Sequence, residues 1–213
     1  MADWGQLYRD NVREVAALAG HLTEGQLVTT VPGTPAWTVH DVLAHLAGGA
    51  DDAATGRMDG APRPEWSARH VGERIGFTVE ELVEELEAHQ DAIVEMSADS
   101  PRPALVWNIA VHHADLREAL GLGAPPDSLW LPVLDAAAPR LLDELPVTVI
   151  AGGSVYGAGG DQVEVPAYEL FRAIFSRRSR AQMRAWGAPA LDAAQLDGIC
   201  IFGPREDDQP VPV

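Results

Sequence analysis

Four segments with helical periodicity occupy the first 122 residues, and they constrain the fold more than any other feature of the sequence. Each segment places apolar residues on one face and charged residues opposite. They run over residues 3–21, 38–57, 78–96 and 104–120. Loops rich in Pro and Gly separate them. Amphipathic helices of this length bury their apolar faces against one another, so the sequence predicts a four-helix bundle with no strand before residue 120.

The sequence changes character after Pro126. A fifth helix with a kink or break at Pro139 is followed by β-branched residues, Gly-rich turns and a short strand. A long helix is predicted over 168–186, and a brief strand at 199–202 contains Cys200 as a buried structural thiol. The chain is therefore expected to be mainly α, with a bundle domain over 1–122 and a small α+β domain over 123–213.

Charge and composition exclude several classes of function. The net charge of −17 repels phosphate backbones, so we expect no nucleic-acid partner. The sequence has no apolar run of 18 residues and no apolar segment at its start, which predicts a cytoplasmic protein without a membrane partner. The single cysteine, Cys200, rules out an internal disulfide framework and a zinc site built from several cysteines.

A polar strip lies on the helix predicted over 104–120. On a helical wheel Asn108, His112 and Asp115 fall within an arc of about 60°. His113 points about 100° away from His112, at the edge of the apolar face. The two adjacent histidines therefore cannot serve one site, and we expect His113 to pack at the edge of the core and take no part in the site.

The helix predicted over 38–57 carries a second candidate. His45 lies between apolar residues, and Asp52 falls on the same side of the wheel. The pair Gly48–Gly49 follows one turn later. Because glycine within a helix costs up to about 1 kcal/mol relative to alanine, this pair indicates a packing or access requirement.

One histidine on each of two helices, with oxygen donors at helical spacing, is typical of a metal site in a bundle core. The spacing of four between Asn108 and His112 aligns both side chains toward one ion. Imidazole ligands favour zinc. The alternative is that His45, His112 and His113 are histidines at the core edge, hydrogen-bonded to backbone groups or to Asp.

Four segments, taken in order, carry a resemblance to a known family. They are VPGTPAWTVHDVLAHLAGG, EWSARHVGERIGFTVEELVEEL, VWNIAVHHADLREALG and VTVIAGGSVYGAGGDQVEVPAYELFRAIFSRRS. Together they resemble the mycothiol-dependent maleylpyruvate isomerase family, within the DinB/YfiT-like metalloenzyme superfamily. The resemblance covers nearly the whole chain. It implies a DinB-like four-helix bundle followed by a small α+β C-terminal domain.

The resemblance also implies a set of metal ligands. The family holds its metal with a His on the second helix and with a Glu and a His four residues apart on the fourth. Carried over, these are His45, Asn108 and His112, so Asn stands here where the family has Glu. A neutral amide is a weaker zinc ligand than a carboxylate. Such a site would bind zinc less tightly and polarise its ligand more strongly, unless Asp115 or Asp52 restores the charge.

The implied chemistry uses a divalent metal, most simply zinc, and the low-molecular-weight thiol mycothiol as cosubstrate. A metal-bound thiolate is the nucleophile for isomerisation of, or S-transfer to, an electrophilic small molecule. The candidate catalytic residues are Asp115, beside the ligands, and Arg177 and Arg178, which with Arg180 would contact a dicarboxylate substrate unless they are surface arginines. The protein would be a monomer or a homodimer. The alternative is a non-catalytic relative with a degenerate metal site that acts as a binding or regulatory module.

Overall fold

Side-chain caps start two of the long helices in the first half of the chain. In the computed structural model, which describes residues 2–186 and 191–211, Thr38 accepts a hydrogen bond from the backbone N–H of Asp41, and the Asp41 carboxylate accepts one from the Thr38 N–H. Thr78 and Glu81 form the same reciprocal pair. Each pair satisfies backbone donors that a helix start leaves without partners. The helix starts predicted at both threonines are confirmed.

The described chain divides into two compact units, Met1–Pro125 and Pro126–Val213. The helices of the first unit are α1 (Trp4–Ala19), α2 (Glu24–Leu27), α3 (Val39–Thr55), α4 (Pro64–Glu73), α5 (Val79–Ala88), α6 (Gln90–Ser97) and α7 (Ala104–Ala119). The bundle core lies among α1, α3, α5–α6 and α7, and α4 packs on α3. Among the described residues before 120, the β structure is limited to an isolated bridge between Thr30 and Thr38.

The third bundle helix, predicted as continuous over 78–96, consists of two helices that meet at His89. His89 ends α5 and begins α6, with φ −96° and ψ 0°. The periodicity over 78–96 predicts Leu86, Ile93 and Met96 on the inner face; Leu86 and Ile93 are buried, but Met96 is 51% exposed, so its predicted place in the core is wrong. Within α6, Ser97 and not Met96 is buried one turn after Ile93, so Met96 lies just off the buried face.

Gly48 lets α4 approach α3 closely. A Cβ at this position would lie 2.6 Å from the Cβ of His70 and 2.8 Å from Nη1 of Arg74, too close for any side chain. Gly49 has more room, since its nearest neighbours lie 3.8 Å away. The packing requirement indicated by the glycine pair therefore falls on Gly48.

The second unit combines helices with a three-stranded sheet. Its elements are a 3₁₀ turn (Asp127–Leu129), α8 (Leu131–Leu142), β1 (Val147–Ala151), β2 (Ser154–Tyr156), β3 (Asp161–Glu164), α9 (Ala167–Ile174), α10 (Arg180–Arg184) and α11 (Ala193–Ile199). The strand order is β2–β1–β3, with β1 antiparallel to β2 and parallel to β3. Gly152 and Gly153 connect β1 to β2 with φ of 58° and 83°. This matches the two-residue hairpin turn that needs positive φ at both positions. The mainly α fold with a small α+β part is confirmed.

Three predictions in the second unit need correction. Of the kink or break predicted at Pro139, the break is wrong, because Pro139 lies inside α8, and the kink stays a prediction. The helix predicted over 168–186 is split into α9 and α10, because Ser176 adopts a φ of 61° and the chain leaves the helical conformation there. The strand predicted at 199–202 is instead the end of α11 and a turn.

Cys200, placed in that predicted strand, follows the last residue of α11. It is buried, as expected for a structural thiol, and its Sγ lies 3.7 Å from the carbonyl oxygen of Leu196. Burial, with a smaller contribution from Asp197, raises the pKa of the thiol to about 11. The side chain is therefore protonated at neutral pH. Across the described residues, no helix combines the length and the apolar character needed to span a bilayer.

The role of Gly48 can be tested by adding a single methyl group. Gly48→Ala should reduce the free energy of unfolding by about 2 to 3 kcal/mol, because the new Cβ collides with His70. Gly72→Ala in α4 is the matched control, since the new methyl group would have no neighbouring atom within 4 Å. That change should be neutral or stabilise by up to about 1 kcal/mol. Urea unfolding measures both, and equal effects at the two glycines would contradict the close approach.

Candidate functional site

Helices α3 and α7 bring together the three side chains that the sequence indicated as metal ligands. The ring centroids of His45 and His112 lie 5.0 Å apart, with the rings nearly perpendicular. Nδ2 of Asn108 lies 3.2 Å from Nε2 of His45. Both histidines are buried, at 3% and 5% exposure. The structure therefore brings both Asn108 and His112 next to His45 in the bundle core.

Each of the two imidazoles has a polar neighbour at its Nδ1 atom. Nδ1 of His112 lies 2.9 Å from Oδ2 of Asp115, which is itself fully buried. Nδ1 of His45 lies 3.1 Å from Nδ1 of His70. Metal-binding histidines commonly engage their second nitrogen in this way, which fixes the tautomer and the ring orientation. For His45 this contact leaves Nε2 as the nitrogen for a ligand, whereas Asp115 lies at ion-pair distance from His112 without the alignment of a hydrogen bond.

His70, on α4, is a functional candidate that sequence reasoning missed. Its side chain is fully buried, and its Nε2 lies 2.9 Å from Oδ2 of Asp52. Asp52 also pairs with Arg69, and it lies 3.0 Å from Nη2 of Arg57. A polar chain therefore runs from Arg69 through Asp52 and His70 to His45. The available signal was Gly48, whose missing side chain makes room for His70.

Burial and hydrogen bonding have opposite effects on the pKa values of Asp52 and His70. Burial acts to raise the pKa of Asp52, but the hydrogen bonds from Arg69 and His70 outweigh it and hold the pKa below its usual value. Burial lowers the pKa of His70 below its usual value, against the raising effect of Asp52. At neutral pH Asp52 is therefore an anion and His70 a neutral imidazole.

Two tryptophans border the histidines. The Trp37 ring lies 4.8 Å from the His45 ring and 6.0 Å from the His112 ring, measured between centroids. Trp66 packs edge-on against His70 at 4.2 Å. Trp37 and Asn108 are half-buried, whereas both histidines are buried. The more accessible edge of the site therefore lies at Trp37 and Asn108. Sequence reasoning also missed Trp37, which directly precedes the helix cap at Thr38.

His113 points away from this site. Its side chain is 1% exposed, and Nδ1 lies 3.1 Å from Oδ1 of Asn11 on α1. Burial, with a smaller effect from the positive charge of Arg117, lowers the pKa of His113 to about 4. It lies deeper in the core than the edge position that the helical wheel predicted.

The arginines proposed as substrate contacts lie in the second unit. The guanidinium of Arg178 is fully buried and donates to both carboxylate oxygens of Glu169, at 2.6 and 2.8 Å. Arg177 is also buried and donates to the carbonyl oxygen of Phe175 at 2.8 Å. The alternative that these two are surface arginines is wrong. Their contact with a substrate stays a prediction, as does a catalytic role for Asp115.

A further group of side chains has metal-ligand spacing. Candidate ligand atoms of Asp51, Glu85 and His89 all lie within 4.8 Å of one another. However, Arg74 donates to both carboxylate oxygens of Glu85 at 2.6 Å, and Arg57 lies 2.6 Å from Asp51. These arginines already balance the acidic charge, so the group is an ion-pair network among α3, α4 and α5.

Comparison with known proteins gives two kinds of similarity. The family model described as the mycothiol maleylpyruvate isomerase N-terminal domain matches residues 8–136, a range that includes His45, Asn108 and His112. The crystal structure of the mycothiol-dependent maleylpyruvate isomerase is similar in fold, with a TM-score of 0.51 and 14% identity over 83% of this chain and 90% of that one. The crystal structure of a histidine-to-alanine variant of that enzyme has a TM-score of 0.50 and 13% identity, and the match again covers 83% of this chain and 90% of that one. No curated protein sequence matches significantly.

The depressed pKa of His113 predicts acid sensitivity of the fold. The unfolded chain takes up this proton near pH 6.5 but the folded protein only near pH 4, so stability is lost as the pH falls between these values. The loss attributable to His113 should be about 2 kcal/mol at pH 5. His113→Gln should remove that part of the difference in unfolding free energy between pH 7.5 and pH 5.

Urea unfolding at the two pH values measures this difference. An unchanged pH dependence in the variant would contradict the assignment to His113. The same variant should keep the metal content of the parent, because His113 faces Asn11 and not the site. Loss of metal from this variant alone would show that the ligand assignment is wrong.

Proposed function

Because the chain belongs to the mycothiol maleylpyruvate isomerase family, we propose that it is a metalloenzyme that uses mycothiol to isomerise, or transfer sulfur to, an electrophilic small molecule in the cytoplasm. The observation that supports this proposal is the convergence of His45, Asn108 and His112 in the bundle core. Imidazoles from two different helices beside an amide form a donor set that suits a divalent transition metal.

The residues present fit a zinc ion. His45 and His112 would bind through Nε2, and Asn108 would bind through its amide oxygen after rotation of the amide. With three protein ligands, a zinc ion held here would also be able to bind a thiol. Zinc supplies one chemical effect when bound, since it lowers the pKa of a coordinated thiol so that the thiolate is present at neutral pH.

The charge of the ligand set distinguishes this site from the family pattern. His45, Asn108 and His112 are all neutral ligands, so no ligand offsets the charge of a divalent ion. Asp115 lies next to His112, whereas Asp52 lies next to His70 and is separated from His45 by that ring. These carboxylates would offset part of the charge through the imidazoles. We therefore propose weaker zinc binding and a more acidic bound thiol than a carboxylate ligand would give.

The protein would contribute orientation and exclusion of water. Asp115 would hold the His112 ring, since it lies against Nδ1 of that ring. Trp37 would form an apolar wall beside the thiol, because its ring contacts both histidines. The thiolate would add to the activated double bond, rotation would follow about the resulting single bond, and loss of the thiolate would give the other isomer. Arg177 and Arg178 stay the proposed partners of substrate carboxylates.

One observation favours the second candidate, a non-catalytic binding or regulatory module. The Asn108 amide nitrogen lies at hydrogen-bond distance from Nε2 of His45. Together with His70 and Asp52 this forms a continuous series of polar contacts that needs no ion. In that case His45 would be a hydrogen-bonded polar group of the core.

The charge argument predicts the effect of restoring the family's carboxylate. Asn108→Glu should tighten zinc binding about tenfold or more, because it places one negative charge next to a dication. Asn108→Gln is the matched control, since it has the same length without the charge and should not tighten binding. A titration against a fluorescent zinc competitor measures all three proteins. If the Glu variant binds no better than the parent and neither binds below the micromolar range, the metalloenzyme proposal fails.

Activity should depend on both zinc and the thiol. Protein purified without chelator should contain zinc, and with mycothiol it should convert maleylpyruvate, followed by ultraviolet absorbance, or consume thiol with another electrophile. His45→Ala should abolish metal content and turnover, because it removes one of the two imidazoles. His113→Gln should retain both and controls for loss of a buried histidine. A folded, zinc-loaded protein with no thiol-dependent reaction would exclude the isomerase and transferase activities.

A further inference from the structure

We infer that His70 is a positioning residue, which fixes the tautomer of His45 so that the Nε2 lone pair of His45 faces the site. This inference rests on the proposed function, because that lone pair is the one that would bind the metal. His70 itself would bind no metal. It lies on α4, a helix that contributes no ligand, and its Nδ1 atom lies 3.1 Å from that of His45.

The positions of the protons follow from the contacts. Nε2 of His70 lies 2.9 Å from the Asp52 carboxylate, which can only accept a hydrogen bond, so this nitrogen carries a proton. Nδ2 of Asn108, a donor, lies 3.2 Å from Nε2 of His45, so this Nε2 is an acceptor and the proton of His45 is on Nδ1. Nδ1 of His70, which lies 3.1 Å from that N–H group, is then the acceptor.

Packing holds His70 in the position that this arrangement needs. Because Gly48 has no side chain, His70 can pack closely against α3. A Cβ at position 48 would lie only 2.6 Å from the Cβ of His70. Trp66, also on α4, packs edge-on against the His70 ring, and the His70 side chain is fully buried. The Asp52 carboxylate is in turn held by Arg69. Both the place of the ring and its proton are therefore determined by neighbours outside the proposed ligand set.

His70 also keeps the negative charge of Asp52 away from the proposed ligand His45. An anionic partner directly at Nδ1 would make His45 a more strongly donating ligand. Here a neutral ring stands between His45 and Asp52, and Asp52 shares its charge with Arg69 and Arg57. His70 thus provides the orienting contact of a carboxylate partner with less of its charge.

The tautomer of His45 can be read directly by NMR of metal-free protein labelled with ¹⁵N-histidine. In the parent we expect His45 to carry its proton on Nδ1. His70→Leu removes the acceptor and should shift His45 toward the Nε2–H tautomer. His70→Asn keeps an acceptor oxygen near the position of Nδ1 and should preserve the parent tautomer. His113→Leu, which deletes another buried imidazole of the bundle, should leave His45 unchanged.

Zinc affinity, measured with zinc alone against a fluorescent competitor, gives a second readout. His70→Leu should weaken binding about 10- to 100-fold, and His70→Asn should stay close to the parent. An Nε2–H tautomer of His45 in the parent would overturn the inference, as would an unchanged tautomer in His70→Leu. If circular dichroism shows that His70→Leu does not fold, the His45 tautomers of the parent and of His70→Asn still test the inference. If no form binds zinc, the proposed function fails while the tautomer result still tests the role of His70.

Discussion

The contact between Nδ1 of His45 and Nδ1 of His70 is the interaction on which the rest of the site depends. It joins α3 to α4 inside the core, where an unpaired ring nitrogen would be costly. It requires the close approach that Gly48 permits, and it is satisfied on its far side by Asp52. The geometry of the ligand candidates therefore follows from how α4 packs, although α4 supplies none of them.

Local features of the sequence predicted the local features of the structure. Threonine caps fixed the starts of α3 and α5, and a spacing of four placed Asn108 and His112 on one side of α7. The same periodicity also placed Met96 on the inner face, but Ser97 is the buried residue there and Met96 is exposed. Periodicity does not show where a buried face ends, because that depends on how the neighbouring helices pack.

Contacts between secondary-structure elements could not be predicted from the sequence. His70 follows Arg69 on a short helix, and nothing in its own segment distinguishes it from a surface histidine. Only the packing of α4 on α3 brings it to His45. Arg178 was similarly interpreted as a possible surface residue, because only the tertiary structure shows that Glu169 lies beside it. Buried charge pairs of this kind are set by partners that are distant in sequence or separated by a chain reversal.

Asn108 gives the site a different electrostatic character from one built with a carboxylate ligand. The carboxylates of Asp115 and Asp52 lie against the rings of His112 and His70, and Trp37 and Trp66 pack beside the His45 ring. The negative charge of these carboxylates acts on the site through the rings, so the orientation of each ring affects how strongly it acts.

The buried state of Cys200 has a consequence for a protein proposed to handle electrophiles. Its thiol is covered by α11 and keeps its proton far above neutral pH. Thiols in that state react slowly with alkylating agents and oxidants. The single thiol of the chain would therefore not compete with the cosubstrate thiol for an electrophile.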